Sequence, residues 1–400
     1  MTSGTVGGVR KVLLLEACDF HSFPAGGQLA FARQLIRAFG DRFALVGIST
    51  SRDVPVGRWS RILLDGRNMD FFSIGLRSPR AAKPLVPARI WAYCRFRRYR
   101  EHILACGADT AFTQAPEALL AVREWGWRSL CYMFPGTENP LRISRYPWAR
   151  PFASAFERPF FRAVCGADVV LAAADGVASS CVQRRARHYG SAVIVQPFPT
   201  RVDTEIFRPA SAESARAELG IPGGPVVVCC GRISRTKGWD LIVAAFARFR
   251  RVHSSATLIF VGDGEDRRAL MRELMASGVE GSVRITGFVP PGVVASYLNA
   301  ADLVAVGSIT EGWSLAMLEA LACGKRLVST KVSGAEAMVR PGVNGALAEQ
   351  RSPEAFAEAM EAAWRLPDNP GASVEIAAPY AFDTLRSEFL RVWGEAAGLA

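Results

Sequence analysis

The chain lacks a disulfide framework, a membrane span and a dinucleotide fingerprint, and each absence narrows what its 400 residues can do. Its nine cysteines are odd in number and none is spaced Cys-x-x-Cys. That usage reads as a reduced, cytosolic protein, not a stapled secreted one. Near the start, Val12-Leu13-Leu14-Leu15 is an apolar run of four residues, too short for a signal-peptide core. No stretch reaches the roughly 18 apolar residues a membrane helix needs, so the expectation is a cytoplasmic chain that at most rests on a membrane. No Gly-x-Gly-x-x-Gly follows the first strand of either half. In Gly262-Asp263-Gly264-Glu265-Asp266-Arg267 an arginine stands where the third glycine belongs, which argues against a dinucleotide-dependent oxidoreductase. The four histidines, His21, His102, His188 and His253, are scattered without metal spacing, although His21 lies close to the Gly26-Gly27 loop. There is no Asp-x-Asp pair, and Asp263-Gly264-Glu265-Asp266 reads as a helix N-cap.

What is present is apolar alternation. Half the residues are hydrophobic, enough for two cores, and the length suits two domains. Short Val/Ile/Leu runs alternate with helical patterns from end to end, the signature of βαβ units and parallel sheets buried on both faces. Strands are expected at Val12–Leu15, Phe43–Ile48, Thr110–Phe112, Leu130–Phe134, Val169–Ala172 and Val193–Gln196. In the second half they are expected at Val226–Cys230, Thr257–Val261, Val283–Thr286, Leu303–Val306 and Leu327–Ser329. A proline-rich stretch from Gln196 to Pro209 separates the halves, and Tyr380–Ala397 reads as one last amphipathic helix. The expected architecture is α/β, with two doubly wound domains in series. Ligands in such sheets bind beyond the carboxyl ends of the strands.

The most informative segment is Ser308-Ile309-Thr310-Glu311-Gly312-Trp313-Ser314-Leu315-Ala316-Met317-Leu318-Glu319. It leaves the strand Leu303–Val306, turns through Glu311 and Gly312, and enters a helix near Ser314. The free N–H groups and positive dipole end of that helix favour an anion such as a diphosphate. Glu311 before the helix and Glu319 within its first two turns can each grip hydroxyls. Two carboxylates flanking a phosphate seat suit a nucleotide-sugar. Other strands end in turns of related chemistry: Gly231-Arg232…Lys237-Gly238, Val261-Gly262-Asp263-Gly264 and Gly287-Phe288-Val289; Ala322-Cys323-Gly324 closes the helix bearing Glu319, and Asn344-Gly345 follows later.

In this order and at this spacing, the run from Gly231 to Leu347 resembles the donor-binding domain of retaining glycosyltransferases of the GT-B fold, closest to glycosyltransferase family 4. The first half matches less sharply, through Pro24-Ala25-Gly26-Gly27-Gln28, which resembles that family's Gly-Gly loop. The resemblance implies a GT-B chain with two Rossmann-like domains facing a central cleft. Residues 1–198, completed by a helix over 380–400, would form the acceptor side, and residues 199–379 the donor side. It implies that Arg232 and Lys237 neutralise the departing nucleoside diphosphate and that Glu311 holds the donor sugar. Backbone N–H groups of Trp313, Ser314 and Leu315 would hold phosphate, Glu319 the ribose, and Gly287 and Phe288 the base. Gly26 and Gly27 would complete the donor site. The expected activity is retaining, metal-independent hexosyl transfer from a UDP- or GDP-sugar, without a cofactor, to a glycan or lipid-linked acceptor in surface polysaccharide biosynthesis. One departure from the family stands out. Tyr132-Met133-Phe134-Pro135-Gly136-Thr137-Glu138-Asn139 carries no histidine where many members have one, leaving Glu138 or Asn139 as substitutes. A sugar-nucleotide epimerase and a non-catalytic glycosyltransferase-like partner are the alternatives.

Charge is uneven. Residues 1–200 carry 27 Lys and Arg against 14 Asp and Glu, a net of +13, and residues 201–400 carry 21 against 23, a net of −2. Two stretches interleave this charge with aromatics. One runs from Arg77 through Arg80, Lys83, Arg89, Trp91, Tyr93, Arg95, Phe96, Arg97, Arg98 and Tyr99 to Arg100. The other runs from Arg142 through Arg145, Trp148, Arg150, Phe152, Phe156, Arg158, Phe160 and Phe161 to Arg162. The expected partner is an anionic membrane surface on the cytoplasmic side. No nucleic-acid module accompanies the charge.

Overall fold

The computed structural model describes residues 11–24, 26–78, 87–135, 139–142, 146–173, 176–189 and 193–399. The chain divides into two compact units, Met1–Phe198 with Leu385–Ala400, and Pro199–Thr384.

Unit 1 is built on an eight-stranded sheet. Its strands are β1 (Val12–Leu15), β2 (Phe43–Ser49), β3 (Trp59–Leu64), β4 (Arg67–Leu76), β5 (Thr110–Thr113), β6 (Ser129–Phe134), β7 (Val169–Ala172) and β8 (Val195–Pro197), in the order β3-β4-β2-β1-β5-β6-β7-β8. All neighbours are parallel except β3 and β4. Unit 2 carries β9 (Val226–Cys230), β10 (Thr257–Val261), β11 (Val283–Ile285), β12 (Leu303–Val306), β13 (Arg326–Thr330) and β14 (Gly345–Ala348). Their order is β11-β10-β9-β12-β13-β14, all parallel. The central strands are uniformly apolar because helices cover both faces, and every residue of β1 and β12 is buried. The sheet order reverses between β1 and β5 in unit 1 and between β9 and β12 in unit 2. These are the switch points where ligands of such sheets settle.

Three elements differ from the sequence expectation, one being β14, where no strand was expected after the Asn344-Gly345 turn. The hairpin β3–β4 was not foreseen, although Asp65-Gly66 joins its strands with φ of 48° and 77°. Positive φ at both central residues is the type I′ hairpin geometry, for which Asp-Gly is a preferred pair. The C-terminal helix begins at Asp383, not at Tyr380. A short 3-10 turn over Ala378–Tyr380 comes first, and Ala381 then bridges Val202, whose N–H donates to the Tyr380 carbonyl at 2.9 Å and whose carbonyl accepts from Phe382 at 2.8 Å. Further on, Phe389 packs its ring 5.4 Å from Phe39, 5.7 Å from Phe112 and 5.9 Å from Phe198. Trp393, 1% exposed, donates its indole N–H to Ser129 Oγ at 2.9 Å. These contacts fasten the last segment to unit 1.

The basic stretches are more ordinary than their composition. On the helix Ala88–Arg98, Phe96 is fully buried, and Trp91, Tyr93 and Tyr99 pack on the core. Arg95 donates to the Ile74 carbonyl at 2.6 Å and to Tyr99 OH at 3.1 Å, and Arg97 donates to Tyr93 OH at 2.9 Å. The aromatics therefore face inward, with arginines arranged around them. In the second stretch Phe160 and Phe161 are buried, whereas Trp148 and Phe152 are 56% and 61% exposed. Arg80, Lys83 and Arg145 lie outside the described residues. Among the described residues, no helix is long and apolar enough to cross a membrane. All nine cysteines are free.

In unit 2, the helices Trp239–Val252 and Pro353–Trp364 are joined by His253 Nε2 at 2.8 Å from Glu361 Oε2, with Arg365 donating to Glu361 Oε1 at 2.9 Å. The hydrogen bond from His253 holds the Glu361 carboxyl below its usual range. A carboxylate lowered on folding stabilises above its unfolded value of about 4.3 and loses that contribution as pH falls through the folded value. Replacing Glu361 by Gln should therefore lower the melting temperature at pH 7, for a cost of about 1 kcal/mol. In thermal melts the two proteins should converge below about pH 4.

Candidate functional site

The site of unit 2 is made by two loops at the carboxyl ends of β9 and β12. The first runs from Gly231 to Gly238, where a short turn over Arg235–Lys237 ends at Gly238 with φ of 70°. A Cβ on Gly238 would stand 1.8 Å from the Gly307 carbonyl oxygen, so only glycine allows the two backbones to touch. The Ile309 N–H then donates to the Thr236 carbonyl at 2.9 Å. A second close approach sets the loop from the β10 side, where a Cβ on Gly262 would lie 2.1 Å from the Gly231 oxygen.

This contact brings Lys237 to Glu311, Nζ to Oε1 at 2.6 Å. Ser308 Oγ donates to the same oxygen at 2.6 Å. Arg232, Lys237, Ser308, Glu311, Ser314 and Ala316 line one cavity, floored by Cys229, Cys230, Val306 and Phe260. The helix Leu315–Ala322 begins at its edge, with Ser314 as a cap residue whose side chain makes no capping bond. The N–H groups of Trp313, Ser314 and Leu315 donate to no acceptor among the described residues. Fixed cations, free amides and a held carboxylate at one switch point can bind an anion with hydroxyls beside it.

Glu319 lies one turn further along that helix, near Cys230 and Cys323, whose thiols are raised first by burial and further by the Glu319 charge. Glu319 is half-buried and its carboxylate has no hydrogen bond or ion pair among the described residues. Desolvation alone pushes its carboxyl up to about 8. Such a group lacks donors in the ligand-free chain, and ligand hydroxyls would supply them.

The other expected residues are placed as follows. Gly287, with φ of 73°, bridges Gly262 just after β11, and Phe288 beside it is 73% exposed. Trp313 is buried with its indole N–H unpaired, and its ring lies 5.0 Å from that of Tyr380. Gly26 and Gly27 belong to unit 1, where Gly26 is the cap and Gly27 the first residue of the helix Gly27–Phe39. Asp19 ties the loop leading to them, its Oδ1 accepting the N–H groups of His21, Ser22 and Phe23 at 2.8 to 2.9 Å. His21 is exposed, with Nε2 3.3 Å from the Leu63 carbonyl.

Two expectations need correcting. Asn139 is fully buried and spends its amide on Glu157 and on the Ala153 carbonyl, so it is not presented as a substitute for a histidine. Glu138 lies outside the described residues. Asp266 occupies the cap position of the helix Arg267–Ala276 but makes no capping bond. Its Oδ2 instead accepts from the Arg235 N–H at 2.6 Å and from Trp239 Nε1 at 3.3 Å, bracing the β9 loop.

Sequence reasoning also passed over the switch point of unit 1. Glu16, just past β1, accepts the Gln114 N–H at 2.6 Å just past β5. Gln114 and Gln28 exchange bonds from each amide to the other's backbone carbonyl, at 3.1 and 3.2 Å. Burial pushes Glu16 up to about 8. Glu117 Oε2, 3.8 Å from Arg89 Nε, and Tyr132 OH are buried nearby without hydrogen-bond partners among the described residues. A polar residue ending an otherwise apolar strand run was the available signal for Glu16.

Comparison with known proteins agrees with this geometry. Residues 224–365 match the family model described as Glycosyl transferases group 1. The D-inositol 3-phosphate glycosyltransferase of Segniliparus rotundus is 37% identical over 165 residues, covering 40% of this chain and 37% of the relative. The D-inositol 3-phosphate glycosyltransferase of Acidothermus cellulolyticus is 30% identical over 280 residues, 62% of each chain. The chain thus spans less than two thirds of either relative. Among solved structures, the sucrose-phosphate synthase of Thermosynechococcus elongatus superposes with a TM-score of 0.81 at 18% identity, covering 98% of this chain and 100% of that one. Anabaena Alr3699/HepE in complex with UDP-glucose gives 0.70 at 20% identity, covering 96% and 99%. The fold is that of the GT-B glycosyltransferases.

The raised carboxyl of Glu319 has a measurable consequence. A carboxyl raised on folding destabilises increasingly as pH climbs from its unfolded value of about 4.3 to about 8 in the folded chain. Glu319→Gln should therefore melt several degrees higher than the parent at pH 8 and coincide with it near pH 4, while binding nucleoside diphosphates more weakly. A gain in stability with a loss of binding marks a group kept for its ligand.

Proposed function

We propose that the chain is a retaining glycosyltransferase that moves a hexose from a UDP- or GDP-sugar to a glycan or lipid-linked acceptor in surface polysaccharide synthesis. The observation that carries this reading is Glu311, held at one oxygen by Lys237 and Ser308 beside Arg232 and the free amides of Trp313, Ser314 and Leu315. In this reading Arg232, Lys237 and the helix amides take up the charge that grows on the diphosphate as its bond to the anomeric carbon breaks. The acceptor oxygen bonds to that carbon on the same face, and its proton passes to a donor phosphate oxygen, so configuration is retained without a dedicated protein base. Glu311 holds the sugar hydroxyls, Glu319 grips the ribose, and Gly287 and Phe288 border the base. Gly26 and Gly27 lie in unit 1, where Glu16 and Gln114 suit a polyhydroxylated acceptor. No metal is assigned a role. The named relatives, and the UDP-glucose complex of a protein with this fold, support a nucleotide-sugar donor.

A panel of UDP- and GDP-sugars should raise the melting temperature, with one nucleotide clearly preferred. Glu311→Gln should lose transfer by about 10²- to 10³-fold with its melting curve unchanged; full turnover in that variant would sink the reading. The acceptor is expected at an anionic membrane, where Trp148 and Phe152 flank Arg150 on the surface of unit 1. Replacing both aromatics by Ala should release the chain from phosphatidylglycerol vesicles in co-sedimentation while leaving its affinity for a nucleoside diphosphate unchanged.

A further inference from the structure

We propose that Ser308 is the positioning residue that decides which oxygen of Glu311 meets the donor, with Thr330 holding Ser308 in turn. This rests on the transferase reading above and deepens it.

Glu311 Oε1 receives both Lys237 Nζ and Ser308 Oγ, each at 2.6 Å. An ionised carboxylate only accepts, so the single proton of the serine hydroxyl points at Glu311. Oε2 takes no hydrogen bond from any described residue. The carboxylate is thus fixed at one oxygen and open at the other.

Lys237 cannot enforce that orientation by itself. Its ammonium ends a flexible four-carbon stem, and its side chain is 41% exposed. Ser308 has one rotatable bond before its oxygen and is 1% exposed. Its backbone is pinned as well, because Thr330 Oγ1, at the end of β13 and 4% exposed, donates to the Ser308 carbonyl at 2.7 Å. A rigid chain therefore runs from β13 through the β12 loop to the carboxylate, the kind of support a preorganised site requires. The competing account is that the serine merely tightens the turn from Ser308 to Glu311.

A double-mutant cycle separates the two accounts. With UDP-glucose and GDP-mannose as probes, Ser308→Ala should lower kcat about 10- to 100-fold, as expected for a misplaced reacting group. The donor KM and the calorimetric Kd for UDP or GDP should stay within about threefold, since the phosphate seat is untouched. In a Glu311→Gln background the same change should cost almost nothing more. Thr330→Val, nearly isosteric, should lower kcat in the same direction with the melting curve preserved. Wild-type kcat in Ser308→Ala, or additive losses in the cycle, would overturn the proposal. If Ser308→Ala fails to fold, unchanged turnover in Thr330→Val overturns it. Failure of the wild-type chain to bind either nucleoside diphosphate strikes the transferase reading itself and takes this proposal with it.

Discussion

Two backbone turns touch at Gly238 and Gly307, with no side chain between them, and the candidate site of unit 2 depends on that contact. It presses the loop after β9 against the loop after β12, and the bond from Ile309 to Thr236 closes the seam. Lys237 sits on one loop and Ser308 and Glu311 on the other. Their 2.6 Å meetings are short because the main chains are already in register. The side chains therefore lose little further entropy when they pair, which makes a preorganised group effective.

The electrostatics around that contact are deliberately incomplete. Glu311 is paired at one oxygen, while the half-buried Glu319 has no hydrogen bond or ion pair among the described residues. The N–H groups of Trp313, Ser314 and Leu315 at the start of the helix Leu315–Ala322 likewise meet no acceptor among the described residues. A buried polar group without a partner costs roughly 1–3 kcal/mol, so leaving several unpartnered at one strand end is a cost to the fold. Unit 1 repeats the theme at its own switch point, with Glu16 and Glu117 both raised by burial. The two sheets share one logic. Uniformly apolar strands carry polar residues only where they end.

Much of this was legible in the residues. The strands β1, β9, β10 and β12 stood out because parallel strands buried on both faces leave continuous apolar runs. Glu311 and Glu319 stood out because they bracket a helix start after such a run. The hairpin β3–β4 escaped because its strands mix polar and apolar residues at the sheet edge, although Asp65-Gly66 announced the turn. Asn139 misled because a polar residue in a loop looks available until the fold buries it against Glu157. Ser308 went unnoticed since a serine in a turn is unremarkable in a sequence. The inward packing of Trp91, Phe96 and Tyr99 was hidden for a related reason: arginine-rich helices look alike whether their aromatics face lipid or core.

The sequence by itself determined the α/β class, the alternation of strands and helices, and the acids and bases at the strand ends. Those follow from local periodicity and from the chemistry of single residues. Tertiary structure alone decided that Lys237 and Ser308, 74 and 3 positions from Glu311, share one of its oxygens. It also decided that Thr330 supports Ser308 and that Glu319 is half-buried with no hydrogen bond or ion pair among the described residues. Sheet order and backbone contact bring residues together across distances in the chain that no local pattern encodes, and burial, which sets the state of a carboxyl, belongs to the assembled core.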